Sequence, residues 1–248
     1  MVRFSVKKLM VASVLIGIVA VMSSAASATP IVAEVNGTAS YTLAEINLAG
    51  GIIVGDKLFD GFRVTTTKSS GAVAPEDGSI SVSAVKVEGD YGLRFNGGWS
   101  APAGTISDST IKFHVSVTPD AVARGWKIKD NSLWISGYGI HPTGNDFAVS
   151  VSENVYASDP DAGHTTPIAN KFVYYKSNKD KRLFHHKDFA PVTEIWVVKD
   201  VIAYGGTGNT GMAHLSEFYQ TFSQIPEPAT IALLGLGSLV LFKRKKAH

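Results

Sequence analysis

Between residues 80 and 222 the chain alternates apolar and polar side chains with a period of two. Ile111, Phe113, Val115 and Val117 are separated by Lys112, His114 and Ser116, and Phe147, Val149 and Val151 by Ala148 and Ser150. That period belongs to strands with one face on a core and the other toward water. Ile80, Val82 and Ala84 begin in one phase while Val85 and Val87 continue in the other, which predicts a β-bulge near Ala84. Further strands are expected over 59–67, 91–95, 133–138, 171–175, 194–204 and 218–222. Turns are expected at Ser69-Ser70-Gly71, Asn96-Gly97-Gly98, Pro142-Thr143-Gly144-Asn145 and Gly205-Gly206-Thr207-Gly208. The one helical pattern, Leu43 to Leu48, reads as a turn before the first strand. Short strands at this spacing predict an all-β fold, a single antiparallel β-sandwich of jelly-roll type.

The two ends break the pattern. Arg3, Lys7 and Lys8 precede an apolar stretch from Leu9 to Met22, and small residues then lead to Ala26-Ser27-Ala28. This is the layout of a secretory signal peptide, with cleavage expected after Ala28. At the other end Pro226-Glu227-Pro228 is followed by an apolar run from Ala229 to Phe242 and by Lys243-Arg244-Lys245-Lys246. As a helix, 14 residues extend about 21 Å, short of the roughly 20 residues that usually span a bilayer. The run is therefore expected to be a short transmembrane helix with its basic stop on the cytoplasmic side. Three segments follow: a signal peptide over 1–28, an extracytoplasmic domain over 29–225 and a C-terminal signal over 226–248.

These ends change the meaning of the charge. The chain carries 23 basic and 21 acidic residues, but seven of the basic ones lie in the terminal segments, leaving 16 against 21 in residues 29–242, a net of −5. A body of that sign has no electrostatic basis for holding nucleic acid. Cysteine is absent. Disulfides, thiolate nucleophiles and cysteine-ligated metals are therefore excluded.

The tail resembles the PEP-CTERM sorting domain of bacterial exported proteins, on Pro226-Glu227-Pro228, Ala229-Thr230, the Leu233-Leu234-Gly235-Leu236-Gly237 run and the basic end. The resemblance implies an exosortase that cleaves near the tripeptide, signal peptidase at the other end, and a membrane intermediate before the cell surface or matrix. It also implies association with extracellular polysaccharide. Gly55-Asp56-Lys57-Leu58-Phe59, Val197-Val198-Lys199-Asp200-Val201 and Gln220-Thr221-Phe222-Ser223-Gln224 resemble bodies that accompany such tails.

Candidate chemistry in the body is sparse. Gly206-Thr207-Gly208-Asn209-Thr210-Gly211 matches G-x-G-x-x-G, but no βαβ unit surrounds it, so a hairpin loop is expected. His185 and His186 with Asp188 offer zinc ligands, yet neighbouring residues on a strand point to opposite faces, and the site needs an irregular loop. Asp159 and Asp161 form a fragment of a calcium loop, with Asp146 and Glu153 as further carboxylates that the sequence does not place. No Gly-x-Ser-x-Gly elbow and no singled-out carboxylate pair is present. Of Trp99, Trp126, Trp134 and Trp196, Trp134 and Trp196 alternate with aliphatics, which fits either a sugar platform or core tryptophans. Trp99, after two glycines, is expected at the surface. The reading is a non-catalytic exported surface or matrix protein acting in adhesion or exopolysaccharide association, with no cofactor. The alternatives are a carbohydrate-binding module using Trp99, Trp134 and Trp196, or an extracellular polysaccharide hydrolase.

Overall fold

A computed structural model describes residues 28–141 and 146–226. In chain order its strands are β1 (Ile31–Val32), β2 (Tyr41–Thr42), β3 (Ile52–Val54), β4 (Lys57–Lys68), β5 (Ser81–Val87), β6 (Asp90–Pro102) and β7 (Ile106–Val117). They continue with β8 (Trp126–His141), β9 (Phe147–Tyr156), β10 (Ala169–Lys176), β11 (Lys181–Arg182), β12 (Phe184–Val192), β13 (Glu194–Gly205) and β14 (Met212–Pro226). Two short helices, α1 (Leu43–Leu48) and α2 (Pro119–Ala123), sit between them. The expected signal peptide up to residue 27, the turn expected at 142–145 and the segment from Glu227 onward lie outside the described residues. Among the described residues no helix is long and apolar enough to cross a membrane.

The strands form two sheets. The first has the order β1-β3-β4-β7-β13-β9-β10-β11 and the second β12-β8-β14-β6-β5-β2. The pairs are antiparallel, apart from β1 with β3. The predicted alternation decides which side chains lie between the sheets. Phe113 and Val115 of β7, Val149 and Val151 of β9 and Val197 and Val201 of β13 are fully buried, facing Leu93, Phe95, Leu215, Phe218 and Phe222 of the second sheet. Phe218 is central, stacked on Phe95 at 4.9 Å and tilted against Trp99 at 5.7 Å.

Several expectations are corrected by how the strands pack. No bulge occurs at Ala84, because 81–87 pair with 90–96 without a shift and both Ala84 and Val85 are buried. A bulge does lie between Asp60 and Arg63, where Gly61 takes a φ of 63°. It turns Phe62 inward to stack on Phe113 at 5.2 Å. Asn96-Gly97-Gly98 is not a turn but the middle of β6. A Cβ on Gly97 would lie 2.6 Å from the Trp99 ring, so the glycine makes room for that indole inside the core. Gly206 to Gly211 is not a hairpin, since it joins β13 of one sheet to β14 of the other. The helix at Leu43 is present, with Thr42 and Glu45 forming a capping box, but two short strands precede it.

Three strands of the first sheet place a charge where an aliphatic residue would be expected. Lys171 of β10 lies directly opposite Glu153 of β9, and Glu153 directly opposite Lys199 of β13. All three side chains have no exposed surface. Glu153 Oε1 is 2.6 Å from Lys171 Nζ, and Oε2 bonds Lys199 Nζ. From the facing sheet, buried Asn131 of β8 donates from Nδ2 to Glu153 Oε1 at 2.6 Å, and its Oδ1 accepts from Lys171 Nζ. Burial alone would raise the Glu153 carboxyl, but the two ammonium groups hold it below the usual range. Burial pushes Lys199 down to about 8, against the pull of Glu153. Glu153, named above as a spare calcium ligand, is thus committed to the core.

The core is the main stabilising element. Phe218→Ala removes the ring at its centre and is expected to cost about 3–5 kcal/mol, read as a lower urea midpoint.

Candidate functional site

Residues out of phase with the core define two outer faces. On the second sheet, antiparallel register aligns side chains in rows across β6, β14, β8 and β12. One row runs Arg94, Tyr219, Trp134, Phe184, the next Gly92, Thr221, Ser132, His186, and a third brings Ser223, Asp130 and Asp188 into line. The first row is largely aromatic. Trp134 stacks on Tyr219 at 4.9 Å with 12° between the planes, and Phe184, 48% exposed, tilts against Trp134 at 4.9 Å. Arg94 closes the row through an ion pair of 3.8 Å with Glu217, which also accepts from Ser136 at 2.5 Å. The aliphatic neighbours Leu133 and Ile135 supply the core, which leaves Trp134 on the outer side.

Beside the aromatic row, His186 Nδ1 is 2.9 Å from Ser132 Oγ and its Nε2 is 3.5 Å from Asp188 Oδ1. Asp130, His186 and Asp188 bring one ligand atom each within 4.8 Å of one another. Asp130 is already engaged by Ser223 Oγ and by Lys129 Nζ at 3.4 Å. His185 does not join them. It lies on β12, not in a loop, and its Nδ1 accepts from the Phe172 backbone N–H at 3.0 Å, linking β12 to β10. Alternation separates the two histidines as expected, while Asp130 was missed because it lies 56 residues away in sequence.

On the first sheet, Asp60, His114, Trp196 and Tyr156 form a row across β4, β7, β13 and β9. His114 bonds Asp60 at 3.0 Å and Glu194 at 3.3 Å, and its ring lies 4.5 Å from that of Trp196. Asp60, His114 and Trp196 border an open recess of about 200 Å³ with Arg63, Lys112 and Asp159. The recess accounts for the proposed calcium turn. Lys112 Nζ sits 2.5 Å from Asp159 and 2.6 Å from Asp161, and Arg63 reaches Asp161 at 3.1 Å. The protein's own ammonium stands where the cation was expected, so the Asp159–Asp161 calcium candidate is corrected to an ion-pair cluster. Asp146 is exposed and apart from it.

Trp99 is also corrected. It is fully buried in the core beside Phe218 and offers no face to a sugar. Trp126 packs partly against the core. Trp134 and Trp196 are therefore the two tryptophans left on outer faces.

Pro226 is the last described residue, and β14 runs without a linker to pair Ile225 with Lys127 and Pro226 with Trp126. The class defined by these features is an all-β protein of two packed sheets that carries a C-terminal signal. The family model of the PEP-CTERM protein-sorting motif matches residues 224–246, as in PEP-CTERM domain-containing proteins. The motif implies export, processing by an exosortase and sorting to the surface. Glu227, Pro228 and the basic residues 243–246 fall in the matched segment but outside the described residues. Ala26, in the expected leader, also lies outside the described residues.

No curated protein matches the chain. Among solved structures, an arabinose-bound MgGH51 α-L-arabinofuranosidase is 11% identical with a TM-score of 0.23, covering 63% of this chain and 23% of that one. The chain thus spans under a quarter of that enzyme. A family 11 carbohydrate-binding module from Clostridium thermocellum, in complex with a β-1,3-1,4-mixed-linked tetrasaccharide, is 6% identical with a TM-score of 0.21, covering 66% of this chain and 91% of that one. Likenesses at these TM-scores bear on neither fold nor function.

Burial opposes protonation of His114, but Asp60 and Glu194 outweigh it and raise the imidazole above its ordinary value. A raised folded value means that the stabilisation is fully present below about pH 6.5 and is lost as pH rises through the folded value. His114→Gln is expected to flatten the pH dependence of Tm across that window, and an NMR titration of His114 to read above the ordinary histidine value.

Proposed function

We propose that the protein is a non-catalytic surface or extracellular-matrix component, delivered by an exosortase, whose β-sandwich associates with neutral extracellular polysaccharide. Signal peptidase removes residues 1–28. The helix over 229–242 holds an inner-membrane intermediate, and exosortase acts near Pro226-Glu227-Pro228 to hand the body to the exterior. The non-catalytic reading is supported by carboxylates of the two outer faces that are engaged by the protein's own groups. Asp159 and Asp161 hold Lys112, Asp60 and Glu194 hold His114, and Asp130 holds Ser223 and Lys129.

The observation that carries the binding reading is the Tyr219–Trp134–Phe184 row. Flat aromatic faces stack on the apolar CH face of a sugar ring, and His186, Ser132, Asp188 and Arg94 next to the row offer donors and acceptors to hydroxyl groups. A body of net −5 disfavours strongly acidic polymers through like-charge repulsion.

A glycan-array screen of the mature protein tests this. Trp134→Ala is expected to weaken retained neutral glycans by at least about tenfold, in line with roughly 1.4 kcal/mol for one lost aromatic contact, while Trp99→Phe leaves the binding pattern unchanged. Binding that is indifferent to Trp134, or absent from the whole array, overturns the reading. Delivery is tested separately by deleting residues 226–248 and fractionating the cells. The expected result is a shift in the distribution between membrane and exterior, and an unchanged distribution counts against exosortase handling.

A further inference from the structure

The buried Lys171–Glu153–Lys199 row is mismatched in charge. Two amines share one carboxylate, so with all three ionised the core holds an excess positive charge out of reach of water. An unpaired buried charge is expensive, and the usual relief is loss of a proton. The amine that loses its proton becomes a nucleophile. Lys171 is the amine in contact with a carbonyl group, because its Nζ bonds Oδ1 of Asn131, one C=O bond away from the amide carbon Cγ. Glu153 Oε1 reaches both nitrogens that would exchange places on that carbon. It lies 2.6 Å from Lys171 Nζ and 2.6 Å from Asn131 Nδ2.

We propose that Lys171 and Asn131 form an intramolecular isopeptide bond, with Glu153 as the catalytic residue. Glu153 takes a proton from Nζ of Lys171, the nitrogen attacks Cγ of Asn131, and the Nζ–Cγ bond forms. Glu153 delivers that proton to Nδ2 and takes a second one from Nζ, which departs with the leaving ammonia as ammonium. The Cγ–Nδ2 bond breaks in this step. An alkylammonium group and a primary amide become a secondary amide and ammonium, with no oxidant, reductant or cofactor. Fixed geometry supplies the rate advantage of an intramolecular reaction. Lys199 holds the second oxygen of Glu153 and keeps the carboxylate in position.

The product also resolves the charge. The new amide is neutral, so Glu153 and Lys199 remain as a matched pair. Asn131 belongs to β8 of one sheet and Lys171 to β10 of the other, so the bond would join the two sheets covalently. In a chain without cysteine, it would serve the purpose that a disulfide serves in other exported proteins.

Peptide mapping of the purified full-length protein, denatured and digested with trypsin and a glutamate-specific protease, tests this directly. Within residues 130–176 trypsin has sites only after Lys171 and Lys176, and Glu153 is the only glutamate. A linked chain resists trypsin after Lys171 and yields residues 130–153 joined to 154–176, about 17 Da (one ammonia) below the summed masses of the two peptides. Free 130–153 at its full mass overturns the proposal. So does a loss of about 17 Da confined to 130–153 with cleavage after Lys171, which marks a local succinimide at Asn131. Glu153→Gln keeps the shape but cannot shuttle the proton, and is expected to restore cleavage after Lys171 and a full-mass 130–171 peptide. A linkage that persists in this variant overturns the role given to Glu153. The wild-type map decides the bond itself even where the variant fails to fold.

Discussion

The sandwich is organised around a salt bridge with no water. Glu153 receives a lysine on each oxygen, and Asn131 reaches across from the opposite sheet to bond both Glu153 and Lys171. Hydrophobic contacts hold the two sheets together but tolerate sliding and repacking, whereas a buried charge must meet its partner in one position. A slip of one residue in β9, β10 or β13 would turn a lysine or the glutamate outward and leave its partner unpaired in the core. Breaking such a pair costs about 3–5 kcal/mol. The cluster thus fixes the register of three strands and ties it to the register of a fourth in the facing sheet.

With the inner faces committed in this way, the outer faces are free to differ. The first sheet presents a recess in which acids and bases satisfy one another, His114 with Asp60 and Glu194, Lys112 with Asp159 and Asp161. The second presents a row of rings whose edges meet a row of polar groups. Neither face needs to move to be used. The rings of Trp134, Tyr219 and Phe184 are held by strands paired on both sides or, for Phe184, by an edge strand tied back to β10 through His185, so little ordering is required when a partner docks.

Much of this was legible in the alternation of residues. The strands around Phe113, Val149 and Val197 appear where the pattern put them, and Leu43 to Leu48 is helical. The failures have physical reasons. Two glycines before Trp99 read as a turn because nothing local reveals that an indole needs the space above Gly97. The carboxylates at 159 and 161 read as a cation site because Lys112, which fills it, is distant in sequence. Ala84 and Val85 read as a bulge because a residue on the outer side can also be buried. Glu153 falls between Val151 and Val155, and Lys199 between Val197 and Val201, each in the apolar phase of its strand. Yet Glu153 reads as an unplaced calcium ligand, because alternation alone does not tell a buried charge from an exposed one. What the sequence could not provide was that the three charges share one level and that Asn131 stands opposite them.

The position of β14 has a mechanical consequence. It is an inner strand of its sheet, hydrogen-bonded to β8 on one side and β6 on the other, and it continues straight into the sorting signal at Pro226. Tension applied to the chain beyond Pro226 therefore pulls along this strand. Both ladders are loaded in shear, so their hydrogen bonds share the force together instead of opening one at a time like a zipper. A tether attached to an edge strand would peel. This one draws on two ladders at once, so a pull on the C-terminal end of the strand is resisted from both sides.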